Sequence, residues 1–412
     1  MSAWVLAYWG FKPDREGLRE ALCTLGNGYL ATRGAAPESR ADGVHYPATY
    51  ATGVFNRRSS AVAGRTFEDE SIVNLPNWLP LTFRAEDGVW LDEAELLEQR
   101  LELDMRRGVL TRFARVRDDR GRVTTVTQRR IVSMDDPHLV ALETTLVPES
   151  WSGLLHVRSS LDGTVENAGV ARYRALAAEH LTAIEPGEAD GETLVLRAQT
   201  TSSSIVVAEA ARTRVARDGA ALTVERTLLE DLGGIGHELS IEVRAQEPVT
   251  IEKVVALTTS RDPALSEPRH AACRAVGKAP GFDGLLEKHE LAWHVLWRRF
   301  GITLEEGEVR TSRIVNLHLF HLLQTLSPHT AALDAGVPAR GLHGEAYRGH
   351  VFWDELFVIP FITLRLPRLA RALLRYRYRR LREARWAAEE AGYSGAMFPW
   401  QSGSDGREET PR

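Results

Sequence analysis

The chain has 412 residues, 43 % of them apolar, with 51 basic and 56 acidic side chains. That length holds two or three domains with real cores, and the near-balance of charge excludes a global field for nucleic acid or an anionic membrane. No apolar run approaches the roughly 20 residues of a membrane span, and the first ten residues lack the basic start of a signal peptide. The chain therefore reads as soluble and cytoplasmic. Its two cysteines, Cys23 and Cys273, read as reduced thiols, although sequence leaves a disulfide open.

In chain order, residues 18–34 begin helical, but Gly26, Gly28 and Gly34 then demand backbone freedom that no regular element needs. Strand patterns follow up to about residue 262. Leu239, Ile241 and Val243 alternate with Ser240, Glu242 and Arg244, and Val249, Ile251 and Val255 continue the pattern. Turn signals separate such runs at Asp119-Arg120-Gly121, Asp162-Gly163, Asp190-Gly191 and Asp218-Gly219. Short strands with recurring Asp-Gly turns predict an antiparallel β-sandwich.

The period changes near residue 262. Pro263, Pro268 and Pro280 mark a connector, and from Asp283, read as an N-cap, Leu286, Trp293, Leu296, Trp297 and Phe300 fall at helical spacing. A second helix from about Thr311 is apolar on nearly all sides, which predicts burial among other helices. A third follows Trp353-Asp354, and a fourth spans roughly 367–391, its arginines forming a solvated face. The expected division is a sandwich over 1–262, a helical linker over 263–310 and a helical domain over 311–412. The helical part reads as unfinished, since three or four helices cannot cover all their apolar faces.

Two glycine-rich loops carry the chemistry. Residues 339–354 and 395–409 each combine aromatic rings, carboxylates and amide or hydroxyl groups, the material of a sugar site. Asp354 reads either as an acceptor for two sugar hydroxyls or as the N-cap of the next helix. Trp353 and Trp400 read as stacking platforms or core residues. His350 reads as a sugar contact or a backbone-bonded histidine, and Gln401 adjoins Trp400. Glu408 and Glu409 suggest an acid and base, but adjacent carboxylates do not converge without a sharp turn. Trp293, Trp297, His318 and His321 read as packing. No metal or dinucleotide motif occurs, so no cofactor is expected.

At three separated places the chain resembles glycoside hydrolase family 65. Thr24–Leu30 with Thr32-Arg33-Gly34 is similar to the family's LGNGYLGxRG stretch, Val73–Pro80 to its LVNLPNWLPL segment, and Arg340–Asp354 to its RGLxGExYxGHxFWD motif. The resemblance implies an N-terminal β-sandwich (a supersandwich), a helical linker and an (α/α)6 barrel, of which this chain would carry only the start. It implies that Trp353 and Asp354 hold a donor glucose, that Trp400 and Gln401 belong to a second loop at the barrel mouth, and that the complete enzyme is a homodimer. The implied reaction is cleavage of an α-glucosyl disaccharide by inorganic phosphate as co-substrate, giving β-glucose 1-phosphate. The general acid and the phosphate loop of the family belong to later motifs that are not matched here, so no catalytic residue is assigned and the chain alone is expected to be inactive. Hydrolysis by water and a non-catalytic sugar-binding fragment stay open as alternatives. One departure bears on specificity: Asp354 runs into Glu355-Leu356-Phe357, where many members have Thr-Glu-Ile-Phe.

Overall fold

The computed structural model describes residues 2–62, 64–231, 233–304 and 308–410; residues 305–307 of the expected linker lie outside them. The alternating segments form one large antiparallel sheet in the spatial order Val5–Trp9, Glu95–Asp104, Val109–Arg117, Val123–Val132, Leu139–Pro148, Val249–Thr259, Val206–Arg217, Thr193–Thr200 and Leu181–Asp190. A second sheet runs Glu225–Asp231, Gly234–Val243, Gly153–Asp162, Leu81–Ala85. The two pack face to face through their alternate residues. Val207, Ala211, Ile251 and Val255 of the first meet Leu155, Val157, Leu239 and Ile241 of the second in one continuous core.

The other face of the large sheet is also covered. Ala208, Ala210, Val254 and Ala256 pack against Ala272, Val276, Phe282 and Leu285 from two helices in the 268–300 region. This explains why Val249–Thr259 loses its alternation after Lys253 and is buried on both faces.

Three of the four expected turns join neighbouring strands: 119–121, 190–191 and 218–219. Asp162-Gly163 does not. Strand Gly153–Asp162 already pairs on both sides, with Gly234–Val243 and Leu81–Ala85, so the chain leaves the sheet there for a long excursion that reaches the loop at 339–354 through Gly169 and Glu345.

The first helix, α1 (Pro13–Leu22), begins earlier than its glycine-bounded pattern suggests, with Pro13 at its start and Asp14 and Glu16 in the first turn. The connector contains α2 (Pro268–Lys278), capped by Glu267, whose side chain accepts the N–H groups of Arg269 and His270. In α3 (Phe282–Phe300) the N-cap is Gly281, not Asp283; the Asp283 carboxylate lies in the first turn and accepts from Arg129 at 3.1 Å. α4 (Val309–Thr325) is not buried all round. Phe320 stacks on Trp293 of α3 at 4.8 Å and Gln324 donates to the Thr24 carbonyl, but Ile314 is exposed. Half of this helix therefore rests on the sandwich side of the molecule rather than among helices. After α5 (Glu355–Thr363), the expected fourth helix is two, α6 (Pro367–Arg379) and α7 (Leu381–Glu390), divided at Arg380.

Cys23 and Cys273 are both free thiols. Among the described residues no helix is long and apolar enough to cross a membrane.

Candidate functional site

The two motif loops meet. Val351 pairs with Pro338 on one side and with Ser402 on the other, through reciprocal bonds of 2.8 and 3.1 Å between Val351 and Ser402. This small ladder puts residues 350–354 beside residues 400–402.

A tight turn sets its direction. Tyr347, Arg348 and Gly349 all have positive φ (54°, 57° and 71°), a conformation costly for the first two. Arg348 holds it in place: its guanidinium donates to the Glu409 carbonyl at 2.8 Å and faces Asp69 at 3.5 Å. Glu345, buried just before the turn, accepts from Tyr46 at 2.5 Å, Tyr50 at 3.0 Å and the Gly169 N–H at 2.9 Å. Burial raises its carboxyl above the ordinary range against these hydrogen bonds. The excursion after Asp162 thus ends as a clamp on the motif loop. Glu345 was not singled out from sequence; its charge between glycine and alanine carries no local sign that two tyrosines 295 or more residues away will bind it.

The sequence-selected residues separate into two layers. Trp353 and Trp400 are outward-facing, 45 % and 58 % exposed, with ring centroids 6.1 Å apart at 38°. Phe357 meets Trp353 edge-on at 5.6 Å. Asp354 occupies the N-cap position of α5, yet its side chain makes no capping bond, and no hydrogen bond or ion pair engages it among the described residues. The N-cap reading of this residue therefore fails as an explanation of its carboxylate. The neighbouring Glu355 turns inward to the guanidinium of Arg377 on α6.

His350 and Gln401 form the lower layer. His350 is fully buried; its Nε2–H donates to the Glu70 carbonyl at 2.6 Å and its Nδ1 accepts from the Gln401 amide at 2.7 Å. Burial, with Arg348 nearby, pushes its pKa down to about 3, so the ring is a neutral brace. It does not face the open surface, and it corresponds to the backbone-bonded reading rather than to a direct sugar contact. Gln401 is buried with it.

Glu408 and Glu409 diverge. Glu408 accepts from the Trp400 N–H at 2.7 Å and from Thr410, and although burial pushes its carboxyl up, these bonds hold it below the ordinary value. Glu409 points the other way, to Arg57 at 2.6 Å. Glu70 ties the same loop down by accepting from the Ser404 N–H at 2.9 Å and its hydroxyl at 2.5 Å. What remains free is a surface of two indoles and one carboxylate, able to stack on a sugar ring and accept from its hydroxyls.

Comparison with known proteins agrees with this architecture. The family model for the glycosyl hydrolase family 65 N-terminal domain matches residues 6–296, and that for the family 65 central catalytic domain matches residues 316–412. An uncharacterized glycosyl hydrolase of Mycobacterium tuberculosis H37Rv is 51 % identical over 407 residues, covering 98 % of this chain and 30 % of that protein. Kojibiose phosphorylase of Caldanaerobacter subterraneus subsp. tengcongensis is 32 % identical over 418 residues, 99 % of this chain and 52 % of the enzyme. A solved structure assigned as a kojibiose phosphorylase from the human microbiome superposes with a TM-score of 0.85 at 20 % identity, over 99 % of this chain and 52 % of that one, and shares its fold. The chain thus spans about half the length of the phosphorylases it matches. With both family models matched in order over most of its length, this chain belongs to glycosyl hydrolase family 65.

Proposed function

We propose that this chain supplies the donor-glucose contacts of an inverting α-glucoside phosphorylase. The observation that carries the reading is the uncommitted Asp354 carboxylate beside the exposed pair Trp353 and Trp400. Trp353 and Trp400 take the faces of the sugar, Asp354 accepts from two of its hydroxyls, and Gln401 with His350 fixes the floor. In the full reaction a phosphate oxygen attacks the anomeric carbon while the glycosidic C–O bond breaks and an acid protonates the leaving oxygen. The names of the relatives, kojibiose and trehalose 6-phosphate phosphorylases among them, support α-linked glucosyl disaccharides as the substrate class.

On this reading residues 1–262 form the sandwich, 263–310 the linker and 311–412 the catalytic helical part. The matched motifs supply sugar contacts and no acid, so the 412-residue chain binds glucose or kojibiose without turning over kojibiose, trehalose, nigerose or maltose.

The test is a titration of tryptophan fluorescence with glucose and kojibiose. Asp354→Asn should weaken binding by about tenfold or more, since hydrogen bonds to a charged group contribute roughly 1.5–3 kcal/mol. Trp353→Ala should do the same with the fold intact by circular dichroism. Unchanged affinity in both variants overturns the proposed contacts, and phosphate-dependent release of glucose 1-phosphate by the chain overturns its inactivity.

A further inference from the structure

We propose that the sandwich carries a second pocket, for a neutral mono- or disaccharide. It shares no lining residue with the Trp353–Trp400 surface, and the inference stands independently of the function proposed above. The pocket is a cleft of about 500 Å³ between α1, residues 34–45, the turn Leu91–Glu93 and the strands Glu95–Asp104 and Val109–Arg117. That volume lies within the roughly 300–1,000 Å³ of small-molecule sites.

Its floor is built. Arg112 is buried, and its two terminal nitrogens donate to the two Glu38 oxygens at 3.1 and 2.6 Å. The second of them also donates to the Gln99 carbonyl oxygen at 3.3 Å. This orients the Gln99 amide with its oxygen toward the guanidinium, which leaves its NH₂ group as an unspent donor. The lip is aromatic: the Phe11 ring is 42 % exposed and lies 5.7 Å from the His45 ring at 31°. His45 uses Nδ1 on Glu20 at 2.8 Å, and its other ring nitrogen has no partner among the described residues. Asp92 and Arg40 line the cleft, and neither makes a hydrogen bond or ion pair within the described chain. Leu91, Leu96, Leu101 and Val116 give one wall an apolar surface.

The chemistry of this set selects the ligand. Each sugar hydroxyl donates and accepts, so it needs both kinds of group close together. Asp92 accepts, Gln99 and Arg40 donate, and the unspent His45 nitrogen stands beside Phe11. The Phe11 face and the leucine wall suit the C–H face of a pyranose. A phosphorylated ligand fits poorly, because Glu16, Glu20, Glu38, Asp42 and Asp92 outnumber Arg40, Arg112 and His45 around the cleft, and the Arg112 charge is already taken by Glu38.

The experiment is a calorimetric and ligand-observed NMR titration of glucose, maltose and glucose 6-phosphate into the full chain carrying Trp353→Ala, with and without Phe11→Ala and Asp92→Ala. The pocket predicts a saturable neutral-sugar site that survives Trp353→Ala and weakens by about tenfold when the two pocket substitutions are added. Phe11 and Asp92 are exposed, so the melting temperature should hold; if it falls, Gln99→Leu gives the second reading on the floor. Loss of all binding with Trp353→Ala alone overturns the proposal, as does a residual affinity indifferent to the pocket substitutions. Tighter binding of glucose 6-phosphate than of glucose overturns the neutral-ligand assignment. Failure of the Trp353 contact itself appears separately, as an unchanged affinity in Trp353→Ala that the pocket substitutions then abolish.

Discussion

Lys253 is the residue on which the two sheets depend most directly. It is fully buried on the inner face of the large sheet, and its ammonium donates to the Ser160 carbonyl at 2.7 Å and the Pro80 carbonyl at 3.0 Å, both at the second sheet. Burial pushes its pKa down to about 7 against the attraction of Glu209, and burial drives the Glu209 carboxyl well above its ordinary value. Neither Glu209 oxygen accepts a hydrogen bond. The two residues therefore carry unequal duties. Lys253→Met leaves the buried Ser160 carbonyl without its ammonium donor, while the Pro80 carbonyl keeps the Ser160 N–H at 3.1 Å, and should cost roughly 2 kcal/mol. Glu209→Gln replaces a carboxyl already pushed toward its neutral form and should change stability by less than about 1 kcal/mol. Urea midpoints of the two variants decide this; equal losses would mean that the pair acts as a fixed ion pair rather than as an inter-sheet strut.

At the scale of elements, the turn Tyr347–Gly349 transmits the position of the sandwich to the sugar surface. A Cβ on Gly349 would sit 2.6 Å from the Cβ of Ile72 and 2.7 Å from its Cγ2, at a φ of +71°. Both a forced contact in a packed interior and a left-handed non-glycine backbone are unfavourable, together by roughly 2–4 kcal/mol. Gly349→Ala should lower the denaturation midpoint accordingly and weaken glucose binding with it, because Val351 and Ser402 follow the turn. A stable variant with normal binding would show that the ladder at Val351 holds the loops unaided. This turn also marks where local sequence reading stops. The alternation at Leu239–Val243 and the hairpin turns at Asp190 and Asp218 were legible because period and turn chemistry are local. The break at Arg380 was not. Its guanidinium bonds Asp334 and the Ser404 carbonyl, and these distant partners divide α6 from α7 where arginine-rich sequence favours continuity. The candidate site divides the same way. Trp353, Asp354 and Trp400 stood out by residue type and loop context, whereas the His350–Gln401 bond joins residues 51 apart, and the anchors Glu345, Arg348 and Glu70 act through tertiary contacts that no spacing encodes.

For the molecule as a whole, buried histidines set the response to acid. His289 accepts the Met134 N–H at Nδ1 and donates from Nε2 to the Gly108 carbonyl; His180 faces the Asn56 amide; His350 accepts from Gln401. Burial pushes His289 and His180 down to about 4 and His350 to about 3. In the unfolded chain each returns to about 6.5. Between these values the unfolded chain binds more protons than the folded one, so stability is full above about pH 6.5 and is lost as pH falls toward 4. His321, pushed down to about 3 by burial, acts in the same sense, so the loss between pH 7 and pH 5 is on the order of several kcal/mol. Glu70 and Glu345 act in the opposite sense, since burial raises both carboxyls and the folded chain then takes up protons first. The histidine contribution is isolated by comparing the parent with His289→Gln, which keeps one acceptor and one donor but does not titrate. Between pH 6.5 and 4.5 the stability of the variant should fall less steeply, by about 1.4 kcal/mol per pH unit. Identical slopes would mean that His289 takes up its proton at the same pH in the folded and unfolded chains, and that the acid response belongs to the other buried histidines.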